Sequence, residues 1–117
     1  MAQITVFHEI KSANTWLHKN WRVYWRYKDQ WCSALNLVKI AKGLVVPKTK
    51  KYTKIRYVSF RHKLLDWDNL VAGVKPINDW LTRNKFIVDD NSYEVTMSVA
   101  QKKIPNSETP KTVIYLK

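Results

Sequence analysis

One cysteine, two glycines and four prolines stand in 117 residues, and only nine acids accompany 21 lysines and arginines. A lone thiol, Cys32, cannot close an internal disulfide, so a thiol-reducing compartment is expected. Gly43 and Gly73 are too few and too far apart to build a glycine-rich phosphate loop, which excludes a nucleotide-cofactor protein of that type. No stretch approaches the roughly 18 apolar residues that mark a membrane-spanning helix. Residues 1–11 carry Glu9 and lack the basic-then-apolar order of a signal peptide, so a cytoplasmic location is expected. His8, His18 and His62 are scattered, and none stands at zinc-ligand spacing with Cys32.

What is present is material for one packed domain over residues 1–117: 45% of the chain is apolar and 13% aromatic. The formal charge is +12, which favours a polyanionic partner. That charge is unevenly placed. Between positions 66 and 90 stand five aspartates and three bases, a net charge of −2, and the remainder carries +14. Between Asp29 and Asp66 there are nine bases and no acid. Concentrated carboxylates repel phosphate, so in a basic chain they make sense if a divalent cation sits between them and the polyanion. The competing reading is that aspartates collect at helix caps and turns.

The periodicities predict an α/β (α+β) domain with one mixed sheet flanked by two main helices, in the order β-α-β-α-β-β. Residues 4–8 read as a first strand, and Ser12 or Asn14 as the cap of the helix after it. Residues 16–42 lack glycine and proline, and Leu17, Trp21, Tyr24, Trp31, Leu35 and Val38 recur near helical spacing. This reads as one long amphipathic helix, with a break near Asp29 as a variant, stopped at Gly43. Residues 51–63 alternate as a strand of mixed character. A second helix spans about 69–84, or starts near Lys75 after a tight turn, because Gly73 and Pro76 disfavour its interior. Residues 93–102 alternate again. Residues 105–110 form a turn, and 112–116 a closing strand hairpinned onto the preceding one.

Asp66 and Asp68 stand two apart, and in an extended chain such side chains share a face. Two carboxylates at a strand end repel unless a cation joins them, and hard cations such as Mg²⁺ or Mn²⁺ take oxygen ligands. Asp89 and Asp90 come after the second helix, where the chain can return to the same sheet edge and complete a three-carboxylate cluster. Such clusters hydrolyse phosphodiesters by activating a metal-bound water. Lys75 adds a positive charge near a developing oxyanion.

The run Asp66-Trp67-Asp68-Asn69-Leu70, then Lys75, then Asp79-Trp80-Leu81, then Val88-Asp89-Asp90, resembles the RusA-like Holliday-junction resolvases of phages and prophages. The early Asn14 and the aromatic, basic stretch 16–31 are similar to that family too, and the resemblance covers about positions 4–99. In the compact form of the motif the lysine follows the Asn-Leu closely, whereas here Val71 to Val74 intervene. The resemblance implies an Mg²⁺-dependent endonuclease (Mn²⁺ as a substitute) that cuts four-way DNA junctions as a homodimer in a bacterial or phage-infected cell. It makes Asp66, Asp68 and Asp90 catalytic metal ligands, Asp89 a supporting or metal-sharing residue, and Lys75 the catalytic lysine. Symmetric cutting of a two-fold junction fits a C2 dimer.

Two basic groups are candidate DNA contacts. Lys48, Lys50, Lys51, Lys54 and Arg56 sit on a loop and strand, and Arg22 and Arg26 are four apart on the long helix. Phosphate contacts and shape suffice for structure-selective binding. Trp21, Tyr24 and Trp31 are expected in the core. Trp67 lies between the two ligand candidates and points away from them, either to wedge into a junction or to bury in the sheet.

Overall fold

The structure, a computed structural model, describes residues 2–12 and 21–117. Asn14, Trp16, Leu17 and His18 lie outside the described residues. Among the described residues four strands and three helices follow one another as β1 (Ala2–Val6), α1 (Trp21–Lys42), β2 (Lys54–Arg61), α2 (Trp67–Ala72), α3 (Lys75–Arg83), β3 (Thr96–Lys103) and β4 (Lys111–Leu116). The strands form one mixed sheet in the order β1-β4-β2-β3. β2 and β3 are parallel, and β4 is antiparallel to both β1 and β2. The expected α+β class with one mixed sheet is therefore present.

Alternation along each strand decides the two faces of the sheet. Ile4, Val6, Ile55, Tyr57, Val99, Ile114 and Leu116 join Tyr27, Trp31 and Leu35 of α1 and Ile77, Trp80 and Leu81 of α3 in one core. Both long helices thus cover the same face. Fully burying one such side chain contributes about 1.5–3 kcal/mol, so this layer dominates stability. Trp80 ties the helices together: its indole N–H donates to Asn36 Oδ1 at 2.9 Å, and its ring stacks on Phe86 at 5.5 Å.

The helix ends obey local chemistry. Gly43 has φ +58°, the Gly43 N–H donates to Ile40 O, and the Leu44 N–H donates to Lys39 O. This pair of bonds satisfies the last carbonyls of α1, and the left-handed conformation suits glycine. The same pair ends α3, with Lys85 at φ +66° in the glycine position. α1 runs through Asp29 without a break.

Several expectations are corrected. The closing strand is not hairpinned onto β3. β4 is inserted between β1 and β2, and residues 104–110 cross over the end of β2 instead. There Ile104 N–H donates to Arg61 O at 2.9 Å, and His62 Nε2 donates to Glu108 O at 2.6 Å. The second helix starts at Lys75, the alternative the sequence offers, and a separate short helix, α2, precedes it, the two meeting at Gly73 and Val74. A Cβ on Gly73 would stand 2.5 Å from Ile10 Cγ2 and 2.6 Å from Lys11 O, so the close pass of that segment requires glycine. Pro76 falls in the first turn of α3, where no intrahelical donor is needed.

Trp21 is not in the core: it is 65% exposed, while Tyr27 takes the inward position. The inward parity of β2 is less apolar than a core strand usually is, because it includes Ser59 and Arg61, both buried. Arg61 donates to Ile10 O at 2.6 Å, Lys63 O at 2.7 Å and Ser59 Oγ at 3.2 Å, and pairs with Glu9 at 3.0 Å. A buried guanidinium is tolerated only when its donors are satisfied in this way.

Candidate functional site

Asp66 occupies the N-cap position of α2 with φ −61° and ψ 146°, and its side chain makes no capping bond. Capping is the ordinary use of aspartate at this position. Here it is not realised, and the carboxylate faces solvent. Asp68 is exposed in the first turn of α2. The pair therefore does not lie on an extended strand. It straddles a helix start, where the backbone N–H groups and dipole favour negative charge.

The approach to Asp66 is clamped. The Leu65 N–H donates to Gln101 Oε1 at 2.9 Å, and Gln101 Nε2 donates back to Leu65 O at 2.8 Å. A β3 side-chain amide thus holds the residue before the first aspartate in place. The α2–α3 junction is held from the other side, where the Tyr27 hydroxyl donates to Gly73 O at 2.7 Å. Burial pushes the Tyr27 phenol up to about 12, so it stays a donor at any ordinary pH.

Lys75 opens α3 and is 64% exposed, with its ammonium 3.6 Å from Asp79. Asp79 also stands 3.8 Å from Lys28 of α1. Asp89 and Asp90 lie on the loop before β3. Asp90 N–H donates to Asp89 Oδ1 at 2.7 Å, and Asn91 Nδ2 donates to Asp89 Oδ2 at 3.2 Å. These bonds hold the Asp89 carboxyl below its usual range. Asp90 shifts the other way: partial burial first, then the neighbouring Asp89, raise it, and the charge of Lys75 partly offsets them. Burial, and the charges of Asp90 and Asp79, push the Tyr57 phenol well above its usual value. Its hydroxyl donates to Asn78 Oδ1, and Asn78 Nδ2 reaches Met97 Sδ at 3.7 Å.

The structure therefore brings Lys75, Asp79 and Asp90 into one electrostatic neighbourhood above the Tyr57–Asn78 pair. The expectation that the chain returns to the strand end it left needs correcting. β2 and β3 are parallel, so Asp66 leaves the carboxyl end of β2, whereas Asp89 and Asp90 precede the amino end of β3. Among the described residues no group of three or more His, Cys, Asp or Glu side chains is gathered to hold a metal ion. The donors are nonetheless of the kind a hard divalent cation takes, all carboxylate oxygens, and those of Asp66 are uncommitted to a cap.

The basic candidates fall into three places. Arg22 and Arg26 are exposed on α1, with Arg22 5.6 Å from the Trp21 ring. Lys48 and Lys50 are exposed on the loop before β2, and Lys51 donates to Pro47 O at 2.6 Å. Lys54 and Arg56 project from the sheet face that the helices leave uncovered, on the opposite side of the sheet from α1. They are not one patch. Trp67 is 61% exposed and so is not buried in the sheet. Sequence reasoning missed Gln101, Tyr57 and Asn78, which carry no local motif. Asp79 had a signal, its place four residues beyond Lys75.

Comparisons with family models, curated proteins and solved structures found no match for this chain. Among the described residues no helix is long and apolar enough to cross a membrane.

Proposed function

We propose that the chain is an Mg²⁺-dependent, structure-selective endodeoxyribonuclease that resolves four-way DNA junctions as a homodimer in the cytoplasm of a bacterial or phage-infected cell. The observation that carries this reading is Asp66, an aspartate at a helix start whose side chain does no capping, two residues before a second exposed aspartate. The structural use that would explain it is missing, while the surrounding chain has the charge of a phosphate binder.

In this reading Asp66 and Asp68 at the start of α2 hold the cation, and Asp90, with Asp89 in support, joins them when metal and DNA draw the loop before β3 toward α2. A bound Mg²⁺ supplies a water of lowered pKa and neutralises charge on the scissile phosphate. Gln101 orients the segment that leads into Asp66. Asp89 fixes the turn by accepting the Asp90 N–H. Lys75 offers a cation to a phosphate oxygen, and Asp79 restrains its ammonium. Exposed bases bind the remaining phosphates with a strong dependence on salt.

The experiment is incubation with a labelled four-way junction, with Mg²⁺ and with chelator. Paired nicks in Mg²⁺ alone support the reading, and no cleavage in any divalent metal refutes it. The second reading is a non-catalytic DNA- or RNA-binding protein, or a nuclease of other branched DNA. The placement of Asp66 after the carboxyl end of β2 and of Asp90 before the amino end of the parallel β3 favours the non-catalytic form. It predicts that neutralising the aspartates tightens nucleic-acid binding and that chelator changes nothing.

A further inference from the structure

α1, α2 and α3 lie on one face of the sheet, and the other face has a composition of its own. Val58 and Val113 are each only 4% exposed, yet they stand outside the core shared with the helices. They are paired neighbours on β2 and β4 and form the floor of the outward face.

The register arranges what surrounds that floor. On one side of it, Tyr115, Arg56 and Ser98 lie in a row across β4, β2 and β3. On the other side, Lys111, Phe60 and Lys102 form a matching row. Both ammonium groups approach the Phe60 ring, at 5.0 Å from Lys111 and 5.9 Å from Lys102. Beyond Arg56, Lys54 and Lys117 border a groove of about 350 Å³, which continues past Arg56 and Tyr115 into a second of about 270 Å³. No acid stands at any outward position of the four strands.

We propose that this open sheet face binds a single-stranded DNA segment, with Tyr115 stacking on a base and Arg56, Lys102 and Lys111 pairing with phosphates. The charge decides the occupant. A second copy laid on this face would set these cations against their own kind, whereas a polyanion neutralises them. The aromatics decide the form of the DNA. Flat rings on a sheet stack on unpaired bases, and bases stacked inside a duplex cannot reach them. The face lies on the opposite side of the sheet from α1, so its strand contacts are separate from those of Arg22 and Arg26. This inference concerns binding and does not depend on the cleavage reading.

The test is fluorescence anisotropy of a labelled 15-nucleotide oligo-dT with the full chain in EDTA, which separates binding from cleavage. Tyr115→Leu is expected to weaken binding about tenfold, and Tyr115→Phe, which keeps the ring, to stay within about twofold. The double variant Lys102→Gln with Lys111→Gln is expected to lower the slope of log affinity against log salt by about 1.4. Lys42→Gln, at the end of α1, is the control and is expected to change affinity less than about twofold. Circular dichroism confirms that each variant folds. Unchanged affinity in the folded Tyr115→Leu and double-lysine variants overturns the proposal. So does a Tyr115→Leu chain that binds DNA normally but shifts from dimer to monomer in light scattering, because the face is then a contact between copies.

Discussion

Replacing Gln101 with leucine tests whether β3 positions the first aspartate. The Gln101 amide makes two hydrogen bonds to the backbone of Leu65, at 2.9 and 2.8 Å, and both residues are half-buried. A hydrogen bond contributes roughly 0.5–1.5 kcal/mol net, so losing both costs about 1–2 kcal/mol when water partly replaces them. With a urea m-value of about 1–3 kcal/mol/M, the unfolding midpoint falls by about 0.3–2 M. The functional effect is larger, because Leu65 directly precedes Asp66. A misplacement of about 1 Å at a reacting group costs up to roughly 100-fold in rate, so junction cleavage is expected to fall about 10–100-fold under conditions where the variant is folded. Gln101→Glu retains the acceptor for the Leu65 N–H and loses the donor to Leu65 O, so its stability lies between the two. Urea melts and single-turnover cleavage are the assays. A lower midpoint with unchanged cleavage refutes the positioning role, and an unchanged midpoint refutes the clamp itself.

Gly73→Ala places a methyl group against the Lys11 carbonyl and Ile10, and a thermal melt is expected to show a loss of about 1–3 kcal/mol. Lys85→Gly relieves a lysine from the left-handed region and is expected to stabilise by about 1 kcal/mol in the same measurement. His8 sits edge-on to Trp31 at 4.6 Å, and burial, with Lys11, holds its imidazole below the ordinary 6.5. The unfolded chain then binds the proton more readily. This stability contribution is present above pH 6.5, is lost as pH falls below it, and should disappear from pH-dependent melts of His8→Gln. Asp90→Asn removes a partly buried charge beside Asp89 and is expected to raise the melting temperature in EDTA; if Asp90 holds Mg²⁺, the wild type gains melting temperature on adding Mg²⁺ and the variant does not.

The sequence makes legible whatever depends on neighbours along the chain. The stop of α1 at Gly43 and the alternative start of α3 near Lys75 obey local rules, and both appear in the structure. The position of β4 is not legible. A hairpin is the local expectation for two strands joined by a short turn, and its insertion between β1 and β2 depends on pairings more than a hundred residues apart, such as Ala2 with Leu116. Helical spacing alone puts Trp21 inward, because it does not say which stripe faces the sheet, and Tyr27 and Trp31 set that stripe. An extended strand would put Asp66 and Asp68 on one face, but Trp67 to Ala72 coil into a helix. Gln101 gives no signal, because a side-chain amide in an alternating strand looks like any solvent-facing polar residue.

Whether the aspartates at the start of α2 cut DNA through a divalent cation is decided by cleavage of a labelled four-way junction in Mg²⁺. Wild type is compared with Asp68→Asn at equal concentration and with matching circular dichroism spectra. Paired nicks by the wild type are expected, with at least a hundredfold slower cleavage by the variant and junction binding retained. Equal cleavage by the two proteins would refute a metal-ligating role for Asp68.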